Sequence, residues 1–562
     1  MRIGLLLDTL MNGYQQDLLL GAHEECVRQG VDLYCLVGGI LLAPDQEGLL
    51  YDLVTAKHFD GLAVISGTII HSNAETLLPS FLGKFPGIPL VSIAGTCGDI
   101  PTIEVDNGTG VRDMVVHLAK VHGKKRIAFI RVDSPEGHIR YQGYQDGLAE
   151  AGLPLRPELI VEGDFTFDSG VLAVRELREV RRVAFDAMVS SSDWMAIGFM
   201  DGLHRREMHV PRDVAVVGFD DIEESRFCTP PLTTIAQPIR NLGTLAIRQI
   251  MSRLRGEPPT PSRLLATRFC GRDSCGCDSS AKVLARVEAT PGIPGIWALI
   301  RGQGQLLEVV KHACPEFEAD AHSPCTETLV EALLSDFQDR SNHQFLGALQ
   351  AILARVEHMG SLSAWHKLVV ELRAACLPVL AGSPEDSFHA GSVFEQAHIL
   401  ISRSAESLQG RRRLAKERQL GMLSKVGAGL RECFEHHAIT RGLVQNLDRL
   451  DIPGLFVALQ RPDRSPDSRA RLLLSFDAKR SVQSMPDQAF FEAGEILPKS
   501  HTPYRRHSLI VLPLRFGIRK TGLCAIEMGP NDVTVYEAIR EQINGILQCS
   551  DSREGIALEA VV

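Results

Sequence analysis

Arg140, Asp193, Asp220 and Asp221, with the aromatic side chains of Phe165 and Trp194, form an inventory suited to gripping a small polyhydroxylated molecule. Carboxylates and a guanidinium fork hold hydroxyl groups by charge-assisted hydrogen bonds, and an aromatic face covers the apolar side of a sugar-like ring. Each of these residues lies at or just beyond the carboxyl end of an apolar, strand-length run, where ligands gather in open parallel sheets. An earlier set of runs leads in the same way to Asp8, Tyr14 and Ser66. By residue type and position alone, Asp220 and Asp221 serve equally as a loop cap and Arg140 as a structural salt bridge.

Other chemistry is hard to find. Cys270, Cys275 and Cys277 cluster in CGRDSCGC, but the Cys-x-Cys pair is not the usual Cys-x2-Cys metal knuckle, and no second pair or suitably spaced histidine lies nearby in the sequence. A structural or incidental role is expected for them, with no metal and no cofactor. There is no phosphate-binding GxxxxGK[ST], no HExxH, no GxSxG and no kinase signature. GQG at Gly302–Gly304, GAG at Gly427–Gly429 and the pair His436–His437 sit in helical surroundings without partners of the right spacing. The chain reads as a binding protein, not an enzyme.

These residues need a scaffold, and the hydropathy pattern supplies one. Up to about residue 270, apolar runs alternate with helical-period segments: Arg2–Asp8, Val31–Val37, Asp60–Ser66 and Ile88–Gly95, then Arg126–Arg131, Leu159–Phe165, Asp186–Asp193 and Asp213–Asp221. Runs spaced for crossover helices predict parallel sheets, and the restart near residue 126 predicts two α/β lobes. From about 279 to 430 the period turns helical, and Arg411, Arg412, Arg413, Lys416 and Arg418 in QGRRRLAKERQ predict an exposed, coiled helix rather than a nucleic-acid patch. Strand signals return after Asp451, with Pro462, Pro466, Pro486, Pro498 and Pro503 between them, and predict a small α+β domain with an antiparallel sheet, a closing helix and a tail over 551–562.

Length and charge fit this division. The 562 residues predict about three or four domains. With 59 Lys+Arg against 69 Asp+Glu, the net charge is −10, which argues against a chain devoted to neutralising DNA phosphates. The apolar start after Arg2 stops at Asp8 and lacks a signal-peptide cleavage site, no run is long enough for a membrane span, and the 13 cysteines are scattered. A soluble cytoplasmic protein with reduced thiols is expected.

RYQGYQDGLAEAG (Arg140–Gly152), the stretch Phe185–Pro238 containing SSSDWMAIGF and VVGFDD, and VDNGTG (Val105–Gly110) together resemble the effector-binding core of the lactose-repressor (LacI/GalR) family, which has the type I periplasmic-binding-protein fold. The resemblance implies a chain that crosses three times between lobes and a small effector held between them. It places Arg140 at the ligand-gripping arginine of R-x-x-G, and Ser192 and Asp193 at the polar pair before A-I-G. Asp220 falls at the aspartate of G-F-D-D, and Phe165 where an aromatic residue often stacks on a sugar. It implies a sensor over 1–277, with lobes at about 1–105 plus 230–255 and about 110–228 plus 263–272.

Family members that repress genes carry a helix-turn-helix head and hinge of about sixty residues, whereas this sequence opens on the first sensor strand. Output on the C-terminal side is therefore expected, and direct DNA binding is not. The C-terminal segment 431–550 resembles a GAF domain, joined to the sensor by a helical connector over 278–430. The combined reading is a cytoplasmic sensor of a small, sugar-like effector, acting as a homodimer, with a separate output protein among the partners this reading allows. Its alternatives are a transcription regulator reaching DNA through an unrecognised element or partner, and the regulatory part of a diguanylate cyclase or histidine kinase. Arg140→Ala is expected to abolish the effector response and leave the unliganded stability nearly unchanged.

Overall fold

A computed structural model describes residues 1–11, 13–42, 50–70, 74–258, 261–277, 295–313, 325–340, 343–355, 362–436, 440–460, 469–479, 482–484, 490–492, 495–516, 520–530 and 532–553. Residues 554–562 of the expected tail, and Pro462, Pro466, Pro486 and His437, lie outside the described residues. The chain divides into two compact units, Met1–Cys277 with Leu420–Val562, and Asp278–Gln419.

In the first unit, β1 (Arg2–Leu7), β2 (Asp32–Val37), β3 (Gly61–Ile65), β4 (Leu90–Ile93) and β5 (Thr102–Val105) run parallel in the order β5-β4-β3-β1-β2. Their residues are apolar almost without alternation because both faces are buried, as in sheets covered by crossover helices on each side. A second parallel sheet, in the order β7-β6-β8-β9, is built from β6 (Ile127–Val132), β7 (Ile160–Gly163), β8 (Ala187–Ser190) and β9 (Ala215–Val217). The chain returns through β10 (Thr234–Ala236), which lies along the end of β9 through single bridges from Val217 and Asp220. Beyond it, the helix Ile239–Leu254 packs against the helix Gly13–Gln29 on the first lobe.

The last crossing differs from the expected lobe boundaries. β11 (Arg263–Leu265) pairs in parallel with β5 at the edge of the first-lobe sheet, whereas 263–272 was expected in the second lobe. Asp106 N donates to Leu265 O at 2.8 Å and continues that pairing. Only from β12 (Arg268–Cys270), antiparallel to β10, does the chain lie against the second lobe. Such a three-residue edge strand lacks the length to declare its sheet in sequence.

A larger difference concerns the C-terminal segment. β13 (Gly454–Gln460), β14 (Arg469–Asp477), β15 (Val482–Ser484), β16 (Phe490–Glu492), β17 (Ser508–Phe516) and β18 (Lys520–Glu527) form antiparallel ladders in the order β17-β18-β13-β14-β15, with β16 also on β14. They do not stand as a separate sheet: β17 pairs in parallel with β2, Ser508 opposite Leu33 through Val511 opposite Leu36, so the first-lobe sheet continues into a 12-stranded sheet. Leu33 N donates to His507 O at 3.1 Å, Tyr34 Oη and His507 Nε2 share a 2.9 Å hydrogen bond, and Arg506 pairs with Asp32 at 3.1 Å. An unpaired β2 edge would present a row of backbone donors and acceptors, and β17 satisfies it. Leu509, Ile510, Val511 and Leu512 are all fully buried.

The second unit is all-helical among its described residues, with a core around Leu333, Phe345, Trp365, Leu372 and Phe394. The helix Pro384–His436 starts there; its residues from 420 onward belong to the first unit, so the expected connector ends earlier than 430. Arg411, Arg412, Arg413, Lys416 and Arg418 are exposed along it. No helix among the described residues is long and apolar enough to cross a membrane.

If β2 and β17 form one sheet, damage on one side must reach the other. Ile510→Ala should cost about 2–5 kcal/mol and raise hydrogen–deuterium exchange in the β2 peptide Asp32–Val37 as well as in β17. Unchanged protection of the β2 peptide in this variant would contradict the shared sheet.

Candidate functional site

The helix Pro135–Glu150 starts at Ser134, whose Oγ accepts from Gly137 N at 3.0 Å, and this cap aims Arg140 inward, 2% exposed. Its guanidinium is held on several sides. Nε donates to Asn107 Oδ1 at 2.9 Å, Nη1 to Ser191 O at 2.5 Å, and Nη2 lies 3.5 Å from Glu136 Oε2. The plane sits 4.0 Å above the Phe219 ring, and Asp220 Oδ1 is 3.9 Å from Nη1. Asn107 belongs to the first turn of the helix Asn107–Lys120 and donates its own Nδ2 to Val105 O, which turns its carbonyl oxygen toward the arginine.

Two carboxylates lie behind and beside it. Asp193 is fully buried, accepting from Thr234 Oγ1 at 2.5 Å and from Ile222 N at 3.0 Å. A side chain at Gly218 would come within 2.1 Å of Asp193 Oδ1, so the glycine of G-F-D-D gives the carboxylate its room. Asp220 accepts from Gln237 Nε2 at 2.6 Å and has φ +126°, while Asp221 has φ +60° and is paired with Arg226 and Arg272. Burial raises the carboxyl groups of both Asp193 and Asp220; on Asp220 the nearby Arg140 charge partly opposes it.

From the first lobe, Tyr14 faces this group. Its hydroxyl is buried without a hydrogen-bond partner among the described residues, and its titration is pushed up first by burial and then by Glu136, with Arg140 opposing and Asp220 and Asp8 adding. Asp8, at the end of β1, accepts from Gln15 Nε2 at 2.9 Å and Thr68 Oγ1 at 2.6 Å. The fold thus brings Arg140, Asp193, Asp220, Tyr14 and Asp8 together from both lobes.

Three expected residues are placed differently. Ser66 Oγ is 2.7 Å from Ser92 Oγ, inside the first lobe. Ser192 is the N-cap of the helix Asp193–His204, accepting from Met195 N, and is 3% exposed. Phe165, at φ +67°, is half-buried against the second-lobe core. Asn107, Glu136, Phe219 and Gln237 were not singled out beforehand. Asn107 was at hand in VDNGTG and Gln237 in the IAQP crossing, but only folding brings them to Arg140 and Asp220.

The absence of a suitable histidine near the cysteines also needs correction. His117 lies in the last turn of the helix Asn107–Lys120 and His122 in the turn just past its end, and their ring nitrogens meet the sulfurs of Cys275 and Cys277, all four donor atoms lying within 4.8 Å of one another. The partners are more than 150 residues apart in sequence, beyond any spacing rule.

Two parallel-sheet lobes, crossed three times and closing on a set of polar groups, define a ligand-binding module of the periplasmic-binding-protein kind. Residues 115–275 match the profile of the periplasmic binding protein-like domain. The chain is 32% identical over 274 residues to the ribose operon repressor of Escherichia coli (strain K12), covering 47% of this chain and 79% of that protein. It is also 32% identical over 227 residues to the HTH-type transcriptional repressor CytR of the same strain, covering 40% of this chain. That alignment spans 64% of CytR's own length. Among solved structures, a transcriptional regulator CelR–cellobiose complex is 28% identical with a TM-score of 0.44, over 49% of this chain and 84% of that one. The chain belongs to the lactose-repressor (LacI/GalR) family, matched through its effector-binding domain.

The geometry argues against the expectation that Arg140→Ala leaves unliganded stability nearly unchanged. Arg140→Ala strands Asn107 Oδ1, Ser191 O and the Asp220 charge, and should lower unliganded stability by about 3–5 kcal/mol, the usual cost of breaking a buried ion pair, as read by chemical denaturation. The aspartates add a pH signature. Both carboxyls are raised above 3.8, so the unfolded chain loses these protons first, and the fold loses stability as pH climbs from that value through the raised folded-state values. Thermal midpoints between about pH 5 and pH 8 should therefore decline, and Asp193→Asn should flatten the decline.

Proposed function

We propose that residues 1–277 are a sensor for a small polyhydroxylated metabolite, a sugar or a nucleoside, bound between the two lobes. The observation that carries this reading is the Tyr14 hydroxyl, buried without a partner among the described residues and within electrostatic reach of Arg140 and Asp220 of the other lobe. A buried, unsatisfied hydroxyl is costly unless something gains from it, and a ligand hydroxyl bridging Tyr14 and Asp220 would gain. Arg140, Asp220, Asp8 and Tyr14 then make the polar contacts, with Asp193, Asn107 and Gln237 holding them in place. Ser66, Ser192 and Phe165 contribute through packing and capping.

The ligand must bind one lobe arrangement better than another for any signal to pass. In this reading the signal reaches the 431–550 segment, read as GAF-like from its antiparallel order and flanking helices, and the working form is a cytoplasmic homodimer. β2, pairing with β17, is the route by which the first lobe reaches that segment.

A second reading has a specific support: the relatives CytR and the ribose operon repressor bear the names of repressors. This protein would then regulate transcription, through its own contacts with DNA or through a partner. A salt-dependent gel shift with operator-like and random duplexes separates the readings; a specific shift at physiological salt favours direct DNA binding.

A thermal-shift screen of sugars and nucleosides tests the sensor. A ligand at about 100 times its dissociation constant should stabilise its domain by about 2.7 kcal/mol. Tyr14→Phe should raise unliganded stability, because it removes the unsatisfied hydroxyl, while weakening the ligand found in the screen by about 3- to 10-fold, the worth of one hydrogen bond. Equal affinity of the variant and the parent would remove Tyr14 from the site.

A further inference from the structure

We propose that His117, His122, Cys275 and Cys277 bind one zinc ion in a closed, structural site. His117 Nε2 lies 3.1 Å from His122 Nε2. Cys277 Sγ lies 3.3 Å from the first of these nitrogens and 3.4 Å from the second, and Cys275 Sγ lies 3.7 Å from His117 Nε2. A tetrahedral zinc with its usual bond lengths separates nitrogen from nitrogen by about 3.3 Å, nitrogen from sulfur by about 3.5 Å and sulfur from sulfur by about 3.8 Å. The four separations given lie within a few tenths of an ångström of the corresponding edges, and the remaining two, from Cys275 Sγ to His122 and to Cys277, lie within 4.8 Å. Two thiolates and two imidazoles are a donor set that selects zinc among the common divalent ions, and four protein ligands leave no open position for catalysis.

The surroundings support the ligands. Cys277 N donates to Cys275 Sγ at 3.4 Å and Thr233 Oγ1 lies 3.1 Å from the same sulfur, the hydrogen-bonding environment that steadies a thiolate ligand. Gly276 turns at φ +100°, and a side chain there would meet the His122 ring at 3.3 Å, so glycine lets the Cys-Gly-Cys turn wrap the histidines. Phe269 covers the His117 ring with centroids 4.8 Å apart. Cys270 is not part of the group: its sulfur faces Asp221 instead, at 3.8 Å.

The ion fastens the last strap of the sensor, β12 to Cys277, onto the C-terminal end of the helix Asn107–Lys120. The N-terminal end of that helix carries Asn107 against Arg140. One rigid element therefore joins the candidate effector site to the point where the chain leaves the sensor.

Full-length protein purified under reducing conditions, supplied with zinc and dialysed against metal-free buffer should retain about one zinc per chain by mass spectrometry. Replacing zinc by cobalt should give the visible bands of a tetrahedral ion and a near-ultraviolet thiolate-to-cobalt charge-transfer band. Cys277→Ser and His117→Ala should each reduce retained zinc to under about a tenth per chain, whereas Cys270→Ser should keep it. Wild-type protein that retains no zinc, a six-coordinate cobalt spectrum without charge transfer, or full retention by Cys277→Ser or His117→Ala would each overturn the proposal. The wild-type cobalt spectrum decides the matter if those variants fail to fold.

Discussion

The buried guanidinium of Arg140 is the constraint on which the second lobe is arranged. A charge taken out of water must be matched by acceptors on every side, and here they come from four separate stretches: Asn107, Glu136, the Ser191 carbonyl and Asp220. Each of these has its own support. Ser134 caps the helix that carries the arginine, Gln237 holds Asp220 from the returning chain, and Asp193 fixes the G-F-D-D turn by accepting from Ile222 N and Thr234. Asp193 and Asp220 are close enough that burial and their mutual repulsion disfavour ionising both.

A second constraint acts on the opposite side of the first lobe. β2 ends the parallel run β11-β5-β4-β3-β1-β2, and its free edge is closed by β17, more than four hundred residues later in the chain. The two antiparallel and parallel halves share apolar layers, so that Leu33, Cys35, Ile510 and Leu512 belong to one core and Leu36, Leu509 and Val511 to another. Residues 1–277 and the C-terminal segment are thus joined by a hydrogen-bonded strand pair, with Asp32, Tyr34, Arg506 and His507 marking its polar end.

Much of this was legible in the residues. Apolar runs of strand length, separated by helical segments, announced both parallel sheets, because strands buried on two faces cannot alternate. The uniform Leu509–Leu512 run announced a strand covered on both sides, without saying by what. At the site, Arg140, Asp193 and Asp220 stood out because charged groups at the ends of apolar strands must be satisfied by something. Ser66, read from position, is held in an interior hydrogen bond, and Ser192, placed by the resemblance, caps the helix that begins at Asp193, since a small hydroxyl is as useful in a cap or an interior hydrogen bond as in a ligand site.

What the sequence determined by itself was the local kind of each element, its family, and the residue types able to grip a hydroxylated effector; these follow from hydropathy period, turn chemistry and motif, which act over a few residues at a time. Only the tertiary structure decided that Tyr14 faces Arg140, that β17 extends the sensor sheet, and that His117 and His122 meet Cys275 and Cys277. Each of those outcomes joins residues far apart along the chain, and proximity in space comes from the closure of sheets and the crossing of lobes, which no spacing within the sequence encodes.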